Sequence, residues 1–170
     1  ARDAGAQFPA IGSTVEERPA APGETYVGTI VVRNLTQEDQ PDRIYQTDYL
    51  FHADGTSNFS DPGTTARSNA RWITPTVRSL LVAPGSEMTV SYTVKVPPSD
   101  SLVGTYWSAV MVEGAPTEAA RPSAGRPQVG LGAVVRYAVL VAAHIRDGRS
   151  PRVSFANSKF LTNADSTQSF

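Results

Sequence analysis

Residues 87–96, EMTVSYTVKV, alternate apolar and polar side chains without a break. Met88, Val90, Tyr92, Val94 and Val96 fall on one side, and Thr89, Ser91, Thr93 and Lys95 on the other. Successive side chains of an extended chain point to opposite faces, so the pattern predicts a strand buried on one face. Pro84-Gly85 introduces it and Pro97-Pro98 closes it, both turn or breaker pairs. Pro22-Gly23 leads in the same way into ETYVGTIVVRN, again rich in β-branched residues. RIYQTDYLF, residues 43–51, sets Tyr45, Thr47, Tyr49 and Phe51 together. Residues 70–74 and 79–83 are shorter candidates, and GTYWSAVMVEG, residues 104–114, is apolar on both faces, as a strand central in its sheet would be.

The most apolar stretch is VGLGAVVRYAVLVAAHI, residues 129–145, with Arg136 as its one formal charge. A membrane helix needs about twenty apolar residues, and an arginine at its centre costs about 2.5–3.5 kcal/mol. This stretch is shorter, contains glycine and is rich in valine, so it reads as strand. Seventeen extended residues would span roughly 56 Å, beyond ordinary strand length, which predicts a bend or loop near Gly130 and Gly132. Leu131, Val135, Tyr137, Val139, Val141 and Ile145 form one row. Val134, Ala138, Leu140 and Ala142 lie on the opposite face with Arg136 and His144.

Strands at this spacing, with turn sequences at 53–58, 61–65 and 97–101, predict an all-β fold. The expected architecture is an antiparallel immunoglobulin-like β-sandwich of seven to eight strands over residues 1–150. Residues 114–128, GAPTEAARPSAGRPQ, have Thr117 as their one β-branched residue and no aromatic, and so predict a mobile loop. Residues 151–170 contain one candidate strand, Arg152 to Phe155, and a weaker one. They read as the start of a second β-domain or as an added terminal hairpin.

Composition narrows function mainly by exclusion. A net charge of −1 gives no field to draw nucleic acid or an anionic membrane. Cysteine is absent, which removes thiol nucleophiles, thiolate metal sites and disulfides. The two histidines, His52 and His144, stand without a nucleophile elbow, a phosphate-cradling loop or a zinc-binding helix motif. The expectation is a non-enzyme with no cofactor and no metal. Asp54, Asn58 and Asp61 offer oxygen ligands but lack the spacing of a calcium loop. Asn34-Leu35-Thr36 and Asn58-Phe59-Ser60 match the glycosylation triplet. Trp72, Tyr106 and Trp107 read either as core aromatics or as a carbohydrate-stacking platform.

Two blocks carry a resemblance: RWITPTVRSLLVAPGSEMTVSYTV, followed by GTYWSAVMVEG. With the Gly-turned ADGTSNFSDP, and the loop before the long apolar strand, they resemble the N-terminal immunoglobulin-like domain of periplasmic pilus chaperones, the PapD-like superfamily. The resemblance covers residues 8 to 150. Bacterial surface immunoglobulin-like modules share several of its features. It implies a two-domain protein that clamps a subunit's C-terminal carboxylate between two basic residues. Here Arg18 on the first strand and Arg136 or Arg146 on the last are the matching positions.

The functional expectation is an extracytoplasmic, chaperone-like or assembly module, periplasmic or at the cell surface. It would bind a surface or pilus subunit by strand pairing along residues 131–142, with Val134, Arg136, Ala138, Leu140, Ala142 and Arg18 as partner-binding residues. A homodimer is a further form of such docking; nucleic acid and membrane insertion are not expected. A structural or adhesive module of a larger surface protein, with the strand wholly internal, is the alternative. A carbohydrate-binding sandwich is the third.

Overall fold

The computed structural model describes residues 10–115 and 134–145, together with Ser154, residues 161–162 and residues 168–169. Strands dominate, and two sheets face one another. The first runs in the order β1 (Ala10–Ile11), β3 (Thr25–Arg33), β8 (Glu87–Lys95), β6 (Ile73–Pro75). The second runs β2 (Val15–Ala20), β10 (Arg136–Ile145), β9 (Gly104–Gly114), β4 (Gln40–Phe51), with β5 (Ser57–Ser60) and β7 (Ser79–Val82) both paired to β4. The chain is an all-β sandwich, as its alternation predicts.

Among the described residues these sheets hold ten strands rather than seven or eight, because the first strand is divided and several pieces are short. β1 pairs with β3 in one sheet, then the chain crosses and β2 pairs with β10 in the other. The β2–β10 pair is parallel, while every other strand pair among the described residues is antiparallel. Residues 70–74 are only partly extended: Ala70–Trp72 form a single 3-10 turn before β6 begins. Beyond the sandwich, β11 (Leu161–Thr162) pairs antiparallel with β12 (Gln168–Ser169). The Arg152 to Phe155 candidate lies outside the described residues except for Ser154, and residues 116–133 of the expected loop and apolar stretch also lie outside them. Among the described residues no helix is long and apolar enough to cross a membrane.

The buried rows are largely those the alternation marks. Val90, Tyr92, Val94 and Val96 face Ile44, Val110, Val112, Val139 and Val141 across the sandwich. Met88, at the head of its row, is 43% exposed. The prolyl-glycyl turns work as expected. Glu24 N–H donates to Ala21 at 3.0 Å and Ser86 N–H to Ala83 at 3.1 Å. Gly23 and Gly85 occupy the positive-φ position of each turn.

Gly28 serves a different purpose. It faces the interior where Tyr92, 1% exposed, lays its ring across β3. A Cβ at Gly28 would overlap the tip of that ring. Gly28→Val is expected to destabilise the fold by about 2 kcal/mol, since the added side chain displaces the ring from its place against β3 and an overfilled site distorts. A urea midpoint unchanged from the parent would refute this.

Two buried asparagines hold loops to the sheets. Asn69, fully buried, donates through Nδ2 to Tyr106 and Val141 carbonyls at 3.2 and 3.1 Å, and its Oδ1 accepts from Ser108. Asn34 is 1% exposed, donates both Nδ2 hydrogens to Glu38 and Val82 carbonyls, and accepts from Thr36. Its amide is committed to the fold, so the first glycosylation triplet is a loop-closing device in this structure. Asn58, of the second triplet, is exposed.

Candidate functional site

β10 is flanked on one side along its full length by β9, from Arg136↔Glu113 to Ile145↔Gly104. On the other side β2 covers only its second half, from Leu140↔Val15 to Ile145↔Ala20. The polarity of the backbone follows from two bonds. Gly114 N–H donates to Val135 C=O, which turns the odd-numbered residues toward β9. Leu140 N–H donates to Thr14 C=O, which turns the even-numbered residues toward β2. Arg136 and Ala138 therefore present main-chain donors and acceptors on a side where no strand lies among the described residues. Val134, just ahead, continues the same phase and is 42% exposed.

The candidate residues divide accordingly. Val134, Arg136 and Ala138 border the open edge. Leu140 and Ala142 share their outward face, but β2 already occupies their backbone. Val139, Val141, Ala143 and Ile145 belong to the core, with Tyr137 packed against it. Leu131 and its neighbours to 133 lie outside the described residues, as does Arg146.

Arg18 is not brought to the same place. On β2 it is level with Ala143, seven residues and roughly 23 Å along β10 from Arg136. Its guanidinium bonds Glu24 at 2.9 Å and lies 4.2 Å from the Tyr26 ring centroid. Val15, Glu17 and Pro19 share the outer face with Leu140, Ala142 and His144, so Arg18 stands on the other face of the sheet. Arg18 and Arg136 do not form a two-cation clamp in this structure.

The outer face beside the open edge consists of cross-strand rungs. In the first, Arg43, Glu113 and Arg136 stand side by side on β4, β9 and β10. Glu113 is bonded by Arg136 Nε at 2.6 Å, by Arg43 at 3.5 Å and by the Tyr45 hydroxyl at 2.8 Å. The Tyr45 hydroxyl does most to hold its carboxyl below the usual range; burial opposes this, and the two guanidiniums add to the lowering. In the second rung stand Tyr45, Met111 and Ala138. In the third stand Thr47, Ala109, Leu140 and Val15. Tyr45, Thr47, Phe59, Met111, Arg136 and Ala138 line a cavity of about 270 Å³. Met111 forms its floor, at 4% exposure although it points away from the core. Sequence alternation alone could place Met111 with Glu113, but not which residues of β4 and β10 stand beside them.

The remaining candidates fall into structural roles. Trp72 stacks on Tyr106 with centroids 4.9 Å apart and packs on the core. The half-buried Trp107 donates its Nε1–H to Tyr49 C=O at 2.9 Å. His144 contacts the Thr105 hydroxyl at 3.0 Å and lies 3.5 Å from Glu17. Asp54 accepts from the Thr56 amide and hydroxyl, closing a turn. Among the described residues no three His, Cys, Asp or Glu side chains gather as a metal site would require.

No family model and no curated protein matches the chain. Solved structures do. A chain of a chaperone–tip adhesin complex of CFA/I fimbriae is similar at 12% identity and a TM-score of 0.54, covering 95% of this chain and 64% of that one. A chain of the Salmonella enterica SafA pilin–SafB chaperone complex gives 11% and 0.52, covering 84% and 57%. The E. coli chaperone DraB gives 11% and 0.51, covering 80% and 54%. At such identities these matches establish the fold alone, an immunoglobulin-like β-sandwich. The chain spans between about half and two thirds of the length of these structures.

Proposed function

We propose that this PapD-like sandwich is a non-enzymatic, extracytoplasmic assembly module that takes a strand of a partner protein against the open edge of β10. The observation that carries the reading is the half-covered strand: β2 begins at Val15, level with Leu140, and no described residue pairs with the backbone of Arg136 and Ala138 in line with it. Main-chain bonds to such an edge supply affinity, and flanking side chains supply register. The site is shorter than the span 131–142 suggested by hydrophobicity, because β2 holds 140–142. Similar structures are described as chaperones with pilins or tip adhesins, and one as a periplasmic chaperone, which supports a protein partner outside the cytoplasm. In the second reading, a structural module of a surface protein, β10 is internal; the paired half at 140–145 favours it.

The test is a photo-crosslinker, p-benzoylphenylalanine, placed at position 138 or, as a control, at Thr89 on the other sheet. Crosslinking in the periplasm should give one identified adduct at 138 and none at 89. Ala138→Pro removes an edge N–H at a position where proline is tolerated. Introduced beside a crosslinker at 136, it should reduce the adduct at least tenfold with the urea midpoint little changed. Adducts that persist at full yield in this variant, or form equally at 89, would rule the reading out.

A further inference from the structure

The rungs beside the open edge specify what an added strand must carry. The first reads Arg43, Glu113, Arg136, cation–anion–cation, ending at the edge on a guanidinium that is 59% exposed. Arg136 spends its Nε on Glu113, and Glu113 already serves Arg43 and Tyr45. Two cations share one carboxylate, and the Arg136 side chain is more than half exposed. A neighbour directly across a strand pair is favoured when its charge is opposite, and a guanidinium pairs best with a carboxylate.

The second rung reads Tyr45, Met111, Ala138, and ends on a methyl group. Ala138 contributes only a methyl group beside Met111, and both line the cavity of about 270 Å³. An added strand would lie about 4.8 Å beyond β10, placing β9 roughly 10 Å from it. Only a long side chain leaning across Ala138 reaches the cavity floor. Phe59, 46% exposed, and Tyr45 supply apolar walls for it.

We infer that the partner strand carries an acidic residue beside Arg136 and a long aliphatic or aromatic residue beside Ala138, two positions apart on one face. Residues i and i+2 of a strand share a face, so the two requirements fall on one row of the same segment. This rests on the strand-docking reading and defines its ligand: an extended segment of the form acidic–x–apolar, or its reverse when the strand runs the other way. The Arg136 rung sets register through charge, and the Ala138 rung anchors through volume.

The experiment selects a random twelve-residue phage-displayed peptide library on the immobilised full chain, with the Ala138→Pro variant as counter-target. Enriched peptides should pair Asp or Glu with Leu, Met, Phe or Tyr at a spacing of two. Synthetic copies should bind about tenfold more weakly to Arg136→Gln. Replacing the peptide's acidic residue by its amide should weaken binding to the parent but not to Arg136→Gln, the mark of a direct pair. Ala138→Leu, which fills the cavity, should weaken binding by a similar factor. Peptides that require the Ala138 amide but show no acidic bias, or equal losses on both proteins, overturn the inference and leave edge docking standing. Peptides that bind Ala138→Pro as well as the parent, or no enrichment over an albumin surface, overturn both.

Discussion

Asp48→Ala is expected to lower the unfolding free energy by about 4 kcal/mol at pH 7, the largest effect of any single truncation outside the apolar core. Asp48 is fully buried where β4 parts from β9 and goes on to pair with β5. One carboxylate oxygen accepts from Gly63 N–H at 2.8 Å and from the Ser68 hydroxyl. The other accepts from Thr64 N–H at 2.8 Å and Thr65 N–H at 2.7 Å. Removing it leaves the Gly63 and Thr65 amides without their acceptor, while Thr64 N–H keeps a long 3.3 Å bond to Asp61 C=O. An unanswered donor away from water costs about 1–3 kcal/mol. The segment it organises is structural in its own right. Trp107 N–H donates to Arg67 C=O, and Asn69 N–H to Trp107 C=O, so residues 67–69 take the place β4 has vacated along β9. Burial pushes the Asp48 carboxyl up, but the bonds from Ser68, Gly63, Thr65 and Thr64 together hold it below the usual carboxylate value. A carboxyl depressed in the folded state stabilises above its unfolded value, about 3.9. That contribution is lost as pH falls through this value toward the folded one. Chemical denaturation at pH 7 and pH 3 checks both points: the Asp48→Ala deficit should shrink markedly at pH 3. A deficit that is the same at both pH values would mean the charge plays no part.

The strands were legible because alternation and prolyl-glycyl turns are local signals, and Val90, Tyr92 and Val94 are buried as their spacing demands. The face to which a row points was less legible. On β4 the aromatic row Tyr45, Thr47, Tyr49 and Phe51 lies outside, and the inner row is Asp42, Ile44, Gln46 and Asp48. Two acids and an amide on the inner side invert the usual hydrophobic reading, and only their partners in distant loops explain it. The division of the first strand between sheets was not legible either. Nothing in the sequence near Gly12 announces that β1 pairs with β3 while β2 pairs in parallel with β10. That crossing decides the site. Hydrophobicity marked Val134, Ala138, Leu140 and Ala142 as one face, correctly, but the point at which β2 begins selects which of them border open backbone. The rung Arg43–Glu113–Arg136 joins residues far apart in sequence, so it depends on register that no local pattern encodes.

Asp42→Asn is expected to stabilise the protein at pH 8 by about 2 kcal/mol and to leave it unchanged near pH 4. Asp42 sits 1% exposed on the inner side of β4, with both carboxylate oxygens buried and a weak contact to Gln40 set against that burial. Burial raises its pKa to about 6, with Gln40 as a minor opposing influence. The sign follows from linkage. Raised above an unfolded value of about 3.9, the group binds its proton more tightly in the folded state. The contribution of Asp42 to stability is greatest at low pH and falls as pH rises through the window from about 4 to 6. A rise of that size corresponds to about 3 kcal/mol, of which the amide recovers most because it is never charged. The position gives this penalty a consequence for docking. Asp42 is level with Gly114, whose N–H holds Val135, and Ala115 N–H holds Pro41 C=O, so the charge lies under the junction where β9 ends and β10 begins. That junction carries the open edge at 134–138. Ionising Asp42 should therefore loosen this end of β10 first. Amide exchange at Tyr137 and Val139, which face β9, should speed up between pH 5 and pH 7.5, beyond the intrinsic chemical rate, in the parent and not in Asp42→Asn. Equal protection in the two proteins across that range, or a variant less stable than the parent at pH 8, would show that the buried carboxyl is satisfied as it stands.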